Sequence, residues 1–216
     1  KACWLFEHMK NNLGKNFWCG EDLRGKSILV WCEQGIGDLV LFFRYVKRLE
    51  EMGATVYIKY QDPLFKYPIT DKYDYHCSVL TIAGMLGADI KSASGDSYLK
   101  STLDSEFTEV KGRKIGLCWC GNPGHPGDRE RSIRLKDFDM KGVYSLIKDY
   151  SPKQYEDGEV VDWSEGYQSS VIDCSQFMVN LNHTAKIIEW LDVVVTVDTL
   201  VAHLSGALGK KTYLLL

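Results

Sequence analysis

No apolar run in the 216 residues reaches the roughly 18 to 20 needed for a helical membrane span. The stretch KACWLFEHMKNNLGK at the N-terminus has neither a signal-peptide core nor a cleavage site. The expected setting is therefore the cytoplasm, with a peripheral place at the inner face of a membrane left open. The chain begins without Met, as a fragment does. Positive charge is not in surplus: 26 Lys and Arg stand against 29 Asp and Glu, for a net charge of −3. That balance excludes a general nucleic-acid binder, which needs a basic surface. KGRK (111–114) and RERSIR (129–134) are local exceptions. There is no C-x-x-C pair, and seven cysteines is an odd number, so neither a zinc site nor a disulfide framework is expected. Cys118 and Cys120 alternate with Trp119 and should share one sheet face as small buried thiols. Internal repeats of 20 to 50 residues and low-complexity tracts are absent as well.

What is present is clearest at the end of the chain, in VVVTVDTLVAHLSGALGKKTYLLL. Val193 to Val197 is a β-branched run of the buried, parallel-sheet kind. Leu200, Val201, Leu204, Ala207 and Leu208 mark one helical face, Gly209 stops the helix, and Thr212 to Leu216 reads as a further buried strand. Asp198 and Thr199 fall between strand and helix, where open α/β sheets bind ligands. The free N–H groups of a helix N-terminus suit a phosphate. Thr199 and His203, four apart, share one side of the first turn. The bland alternative is that Asp198 caps the helix, Thr199 bonds backbone and His203 is a satisfied core residue; spacing alone leaves both open. Lys210 and Lys211 are expected to complement the negative end of this helix.

A similar unit lies near the start. Ser27 to Cys32 reads as a strand, EQGIGD (33–38) as a loop, and Leu39, Phe42, Phe43, Val46 and Leu49 as one helical face. Gly53 caps that helix and Thr55 to Tyr60 forms the next strand. In between, Ile82 to Gly87 is a short helix, 88–104 is loop and the charged segment 104–114 is a linker. Lys114 to Cys120 is a strand, 137–149 a helix, 150–170 irregular, Val171 to Asp173 a short strand and His183 to Leu191 a helix. The expected architecture is α/β, with two Rossmann-like domains, 1–108 and 109–216, facing a cleft.

Three loops carry polar residues that suit chemistry. Gly35 and Gly37 let backbone approach a substrate; a dinucleotide fingerprint would need a third glycine, and position 40 is Val40. Asp38, at the N-cap or first turn of the helix, is either a cap or a general base. The loop from Cys120 to Asp128 contains Gly121 and Asn122 and precedes Arg129, Arg131 and Arg134, whose forks suit phosphate oxygens. An ordinary surface loop with solvated charges is the competing reading. His125 is flanked by turn residues and carries no argument.

At these loops the sequence resembles the glycosyltransferase family that includes the lipopolysaccharide heptosyltransferases, and within it the branch fused behind bacterial tetratricopeptide repeats. The matching stretches run from FWCGEDLRGKSILVWCEQGIGDLVLFFRYVKRLEEMGATV through YDYHCSVLTIAGMLG and IGLCWCGNPGHPGDRERSIRL to TAKIIEWLDVVVTVDTLVAHLSGALGKKTYLLL. The resemblance implies a GT-B fold and metal-independent transfer of a sugar from a nucleotide-diphosphate sugar to an acceptor hydroxyl, with no cofactor. It implies Asp38 as base, and Asp198, Thr199 and His203 as the donor motif, with Thr199 near the diphosphate. Asn122, Arg131 and Ser132 belong to the block facing the donor, and Gly35, Gly37 and Gly121 supply cleft backbone. The acceptor is expected to be a glycan, a lipid-linked group or a protein. Relatives carry a repeat domain ahead of this part and continue past Leu216, so the C-terminal domain is expected to be truncated. Two competing functions stand beside transfer: a non-catalytic module for a sugar nucleotide or glycan, and an oxidoreductase, which Val40 disfavours.

Overall fold

The computed structural model describes residues 16–32, 35–89, 93–104, 107, 111–165 and 171–216. Glu33 and Gln34 of the first loop, and part of the 104–114 linker, lie outside them. The chain divides into two compact units, Lys1–Asp96 and Ser97–Leu216. No helix among the described residues is long and apolar enough to cross a membrane.

The N-terminal unit holds β1 (Ser27–Trp31), α1 (Ile36–Phe42), α2 (Val46–Glu51), β2 (Thr55–Ile58), β3 (Tyr75–Ser78) and α3 (Val79–Met85). Its three strands are parallel, in the order β2-β1-β3. The single helix expected after β1 is broken by a 3₁₀ turn at Phe43–Tyr45. Three residues per turn stack positions i and i+3, and Phe43, Val46 and Leu49 then share one buried face. Phe43 packs against Phe65 at 4.9 Å and Tyr67 at 5.7 Å between ring centroids. The short helix begins at Val79 rather than Ile82, capped by the Ser78 hydroxyl, which accepts from Leu80 N–H at 3.2 Å.

The C-terminal unit holds β4 (Ile115–Cys118), α4 (Asp128–Arg131), β5 (Val143–Ser145), β6 (Lys153–Gln154), β7 (Val160–Val161), β8 (Val171–Ile172), α5 (Leu181–Trp190), β9 (Val193–Val197), α6 (Leu200–Ala207) and β10 (Thr212–Leu215). Five of the strands make one parallel sheet, ordered β10-β9-β4-β5-β8. Read from β8 to β10 and numbered in chain order this is 3-2-1-4-5, the Rossmann order, and the order of strand addition reverses between β4 and β9. The mixed α/β, Rossmann-like architecture expected from the sequence is present. Residues 98–102, on the N-terminal side of the 108/109 boundary read from composition, bond into this unit. Tyr98 and Leu99 N–H groups donate to Ala207 O, and Ser101 N–H donates to Glu189 Oε1 at 2.7 Å.

Four expectations are corrected. The helix expected over 137–149 is a 3₁₀ turn at Leu135–Asp137 followed by β5. Gly142, at φ +67, breaks the helical path, and Val143 and Ser145 are buried in the sheet. The irregular stretch 150–170 contains the antiparallel pair β6–β7. β10 is an edge strand with Tyr213 and Leu214 exposed, not a buried one. Lys210 does not serve α6; its ammonium donates to Glu189 O at 2.9 Å and to Leu191 O, at the C-terminal end of α5.

Candidate functional site

The carboxyl ends of β4, β5 and β9 and the N-terminus of α6 surround an open pocket of about 670 Å³. It sits at the β4/β9 switch point, where strand order leaves a crevice in open α/β sheets. All its walls come from the C-terminal unit: Cys118 to Pro123, Arg131, the loop after β5 from Leu146 to Gln154, and Thr199 to Val201, Trp119 and Tyr150 excepted. Trp119 is fully buried and stacks on Tyr150 instead.

The ambiguity over capping resolves at Thr199. It occupies the N-cap of α6 in extended conformation, and its side chain makes no capping bond. Its hydroxyl donates to Val197 O at 3.4 Å, the backbone bond of the bland alternative, and lies 3.4 Å from Thr196 Oγ1 and 3.6 Å from Cys118 Sγ. The first N–H groups of α6 have no intrahelical acceptor, and Thr199, Leu200 and Val201 line the pocket. A helix end of this kind attracts an anion.

Arg131 lines this pocket, as do Lys148 and Lys153 in the segment after β5. Arg131 is 19% exposed, in contrast to the solvated arginine of the bland reading. Its Nη1 donates to the Asp198 carbonyl at 2.6 Å, across from β9, and its Nε donates to Asp128 Oδ1 at 3.3 Å. Gly121 is packed so closely beneath this pair that a Cβ there would meet Asp128 Oδ1 and Arg131 Nη2. Ser132 is buried, and its hydroxyl accepts the Gly121 N–H at 3.1 Å, so it ties the loop to the strand end. Asn122 is exposed at the pocket rim, where its Oδ1 accepts Gly124 N–H at 3.0 Å.

The structure thus gathers Gly121, Asn122, Arg131, Ser132 and Thr199, with Asp198 contributing its backbone carbonyl. His203 lies outside the pocket lining. Its Nε2 stands 3.9 Å from Asp198 Oδ1. Arg129 is also turned away, paired with Asp157 at 2.7 Å and Glu159 at 3.1 Å. In the other unit, Asp38 is half-buried in the first turn of α1, and its N–H donates to Gly35 O at 3.0 Å. Gly35, not Asp38, is the N-cap. Gly37 is the second residue of that helix.

Sequence reasoning passed over Asp128, which is fully buried although charged. Its i,i+3 relation to Arg131 was the available signal. It also passed over Tyr155, Trp163, Asp149 and Lys153. The Asp149 carboxyl is held well below the ordinary range by the Ser151 hydroxyl and N–H, and then by Lys153. Burial raises the Cys118 thiol and pushes Cys120 up to about 12, so both remain protonated at the pocket floor near neutral pH.

No family model matches this chain, and no curated protein matches its sequence. Solved structures that share its fold include the following two. One is described as a dodecameric iron-containing heptosyltransferase TibC in complex with ADP-D-beta-D-heptose. It is 12% identical with a TM-score of 0.56, over 90% of this chain and 59% of that one. The other is a bacterial iron-containing dodecameric glycosyltransferase TibC from enterotoxigenic E. coli H10407, at 11% identity and TM-score 0.53, over 88% and 57%. The chain therefore spans a little under three fifths of the length of these structures. Iron is named in both, whereas no three His, Cys, Asp or Glu side chains among the described residues converge to hold a metal ion. The likeness is one of fold: the chain shares a mixed α/β, Rossmann-like architecture with these two structures.

Proposed function

We propose that the protein transfers a sugar from a nucleotide-diphosphate donor to an acceptor hydroxyl, with the C-terminal unit as the donor side. The observation that carries this reading is the meeting of Arg131 with the N-terminus of α6 at the β4/β9 switch point. A departing nucleoside diphosphate gains negative charge as the glycosidic bond breaks. Helix N–H groups and a held guanidinium stabilise that charge through fixed dipoles. Asn122 at the rim and Thr199 at the floor complete the donor contacts. In the N-terminal unit Asp38 takes the acceptor proton as general base. ADP-heptose bound to the first structural neighbour supports a nucleotide-sugar donor. The Arg131 and helix contacts supply the charge stabilisation without a metal ion.

A thermal-shift screen of ADP, GDP, UDP and their sugars tests the donor site. Ligand at about 100 times its Kd adds roughly 2.7 kcal/mol, which raises Tm by roughly 5–10 °C at this chain length. No shift with any of them overturns the donor assignment. A second reading, binding without transfer, is favoured by one observation: the whole pocket belongs to the C-terminal unit. Release of nucleoside diphosphate from a bound donor in the presence of acceptors excludes that reading.

A further inference from the structure

We propose that Asp128, Tyr155 and Trp163 form a positioning relay. It sets the direction in which Arg131 presents its guanidinium, and so determines how tightly a diphosphate is held. The inference rests on reading the pocket as a diphosphate site. None of the three residues lines that pocket.

The relay has a fixed polarity. Trp163 Nε1 donates to the Tyr155 hydroxyl at 2.8 Å, and an indole N–H can only donate. The Tyr155 proton is therefore directed to Asp128 Oδ2, also at 2.8 Å. That leaves Oδ1 of a fully buried carboxylate for Arg131 Nε at 3.3 Å. The Tyr155 ring is held as well as its hydroxyl. The Arg129 guanidinium lies 4.3 Å from the ring centroid and is itself paired with Asp157 and Glu159. Burial, then the bond to Asp128, pushes the Tyr155 hydroxyl up to about 12, so it keeps its proton.

The consequence falls on the guanidinium. With Nε fixed by Asp128 and one Nη1 hydrogen by the Asp198 carbonyl, the plane of the fork is set by two bonds in different directions. Its remaining N–H groups lie at the pocket wall, where a planar donor pair suits two phosphate oxygens. Tyr155 follows β6 and Trp163 follows β7, so the small hairpin 153–161 is the frame that orients the arginine.

Calorimetric titration with ADP and with pyrophosphate, as a probe without a base, tests this. It is run on the unmodified chain, Tyr155→Phe, Arg131→Ala and the double variant. Tyr155→Phe is expected to weaken both probes about tenfold, the scale of a lost hydrogen bond to a charged group. In the Arg131→Ala background it is expected to cost nothing further, because its effect passes through the arginine. Equal losses in both backgrounds, or no loss in either, overturn the relay. Trp163→Phe removes only the first donor; it replaces Tyr155→Phe should that variant not fold, and the same cycle applies to it. If the unmodified chain binds neither probe, the diphosphate site and the relay fall together. If it binds and the variants match it, the relay alone falls.

Discussion

Gly121→Ala tests whether the Asp128–Arg131 pair leaves no room at the end of β4. A methyl group there meets Asp128 Oδ1 well inside van der Waals contact and Arg131 Nη2 at 2.7 Å. Asp128 is fully buried and bonded on both oxygens, so it has nowhere to retreat. Arg131 must move instead, which stretches an Nε···Oδ1 bond already at 3.3 Å. Overpacking of this kind costs about 1–3 kcal/mol. With the weakened ion pair, a loss of about 2 kcal/mol is expected, or roughly 4–8 °C in Tm for a chain this long. The same loop provides controls. A Cβ at Gly124 comes no closer than 3.5 Å to Asn122 Oδ1, and one at Gly127 no closer than 3.7 Å to His125. Gly124→Ala and Gly127→Ala should be neutral, or stabilising by about 0.4–1 kcal/mol through the unfolded chain. Urea unfolding of the three variants reads the difference. A Gly121→Ala protein within about 0.5 kcal/mol of the unmodified one refutes the reasoning, as does an equal loss in all three.

Three further outcomes are expected. Arg131→Ala should raise the Kd for ADP about 10- to 100-fold, from lost charge-assisted hydrogen bonds worth roughly 1.5–3 kcal/mol; an unchanged isotherm removes Arg131 from the donor site. Asp38→Asn should abolish transfer while leaving the ADP isotherm unchanged, and full activity in an acceptor assay removes Asp38 as base. Burial raises the Cys77 and Cys118 thiols and pushes Cys120 up to about 12 and Cys174 up to about 11. These are acids whose folded values exceed the unfolded value near 8.5. Their contribution is complete below about pH 8.5 and is lost as pH rises toward the folded values, by up to about 1.4 kcal/mol per pH unit for each thiol. Urea midpoints at pH 7.5, 8.5 and 9.5 should fall more steeply across the last interval than across the first, and equal midpoints contradict the burial of these thiols.

Buried parallel strands and the helix beside them announce themselves in composition. Val193–Val197 is a strand with the bounds its β-branched run predicts, because a strand covered on both faces has no polar side to display. Gly209, at φ +71, ends α6 where a residue without Cβ is favoured. The five residues from Val143 to Ile147 were not readable in this way. Their apolar spacing fits a helix, and only pairing with β4 and β8 makes the first three of them a strand.

The polar loops follow the same division. That Gly121, Asn122 and Thr199 lie near strand ends, and Arg131 in the polar segment after β4, follows from local pattern, since turn residues and charges mark where a buried strand must stop. Which of them meet is a matter of sheet order. β4 and β9 are adjacent although some 75 residues separate them, and this adjacency brings Arg131 to the Asp198 carbonyl. The same tertiary packing sends Arg129 to Asp157 and draws Asp128, Tyr155 and Trp163 into one buried chain of hydrogen bonds. The sequence by itself determined the strands, the helix end suited to an anion, and the residue types beside it, because these depend on neighbours within a turn or two. The tertiary structure alone decided which arginine turns inward and what holds it there, because a buried charge is admitted only where distant groups supply its hydrogen bonds.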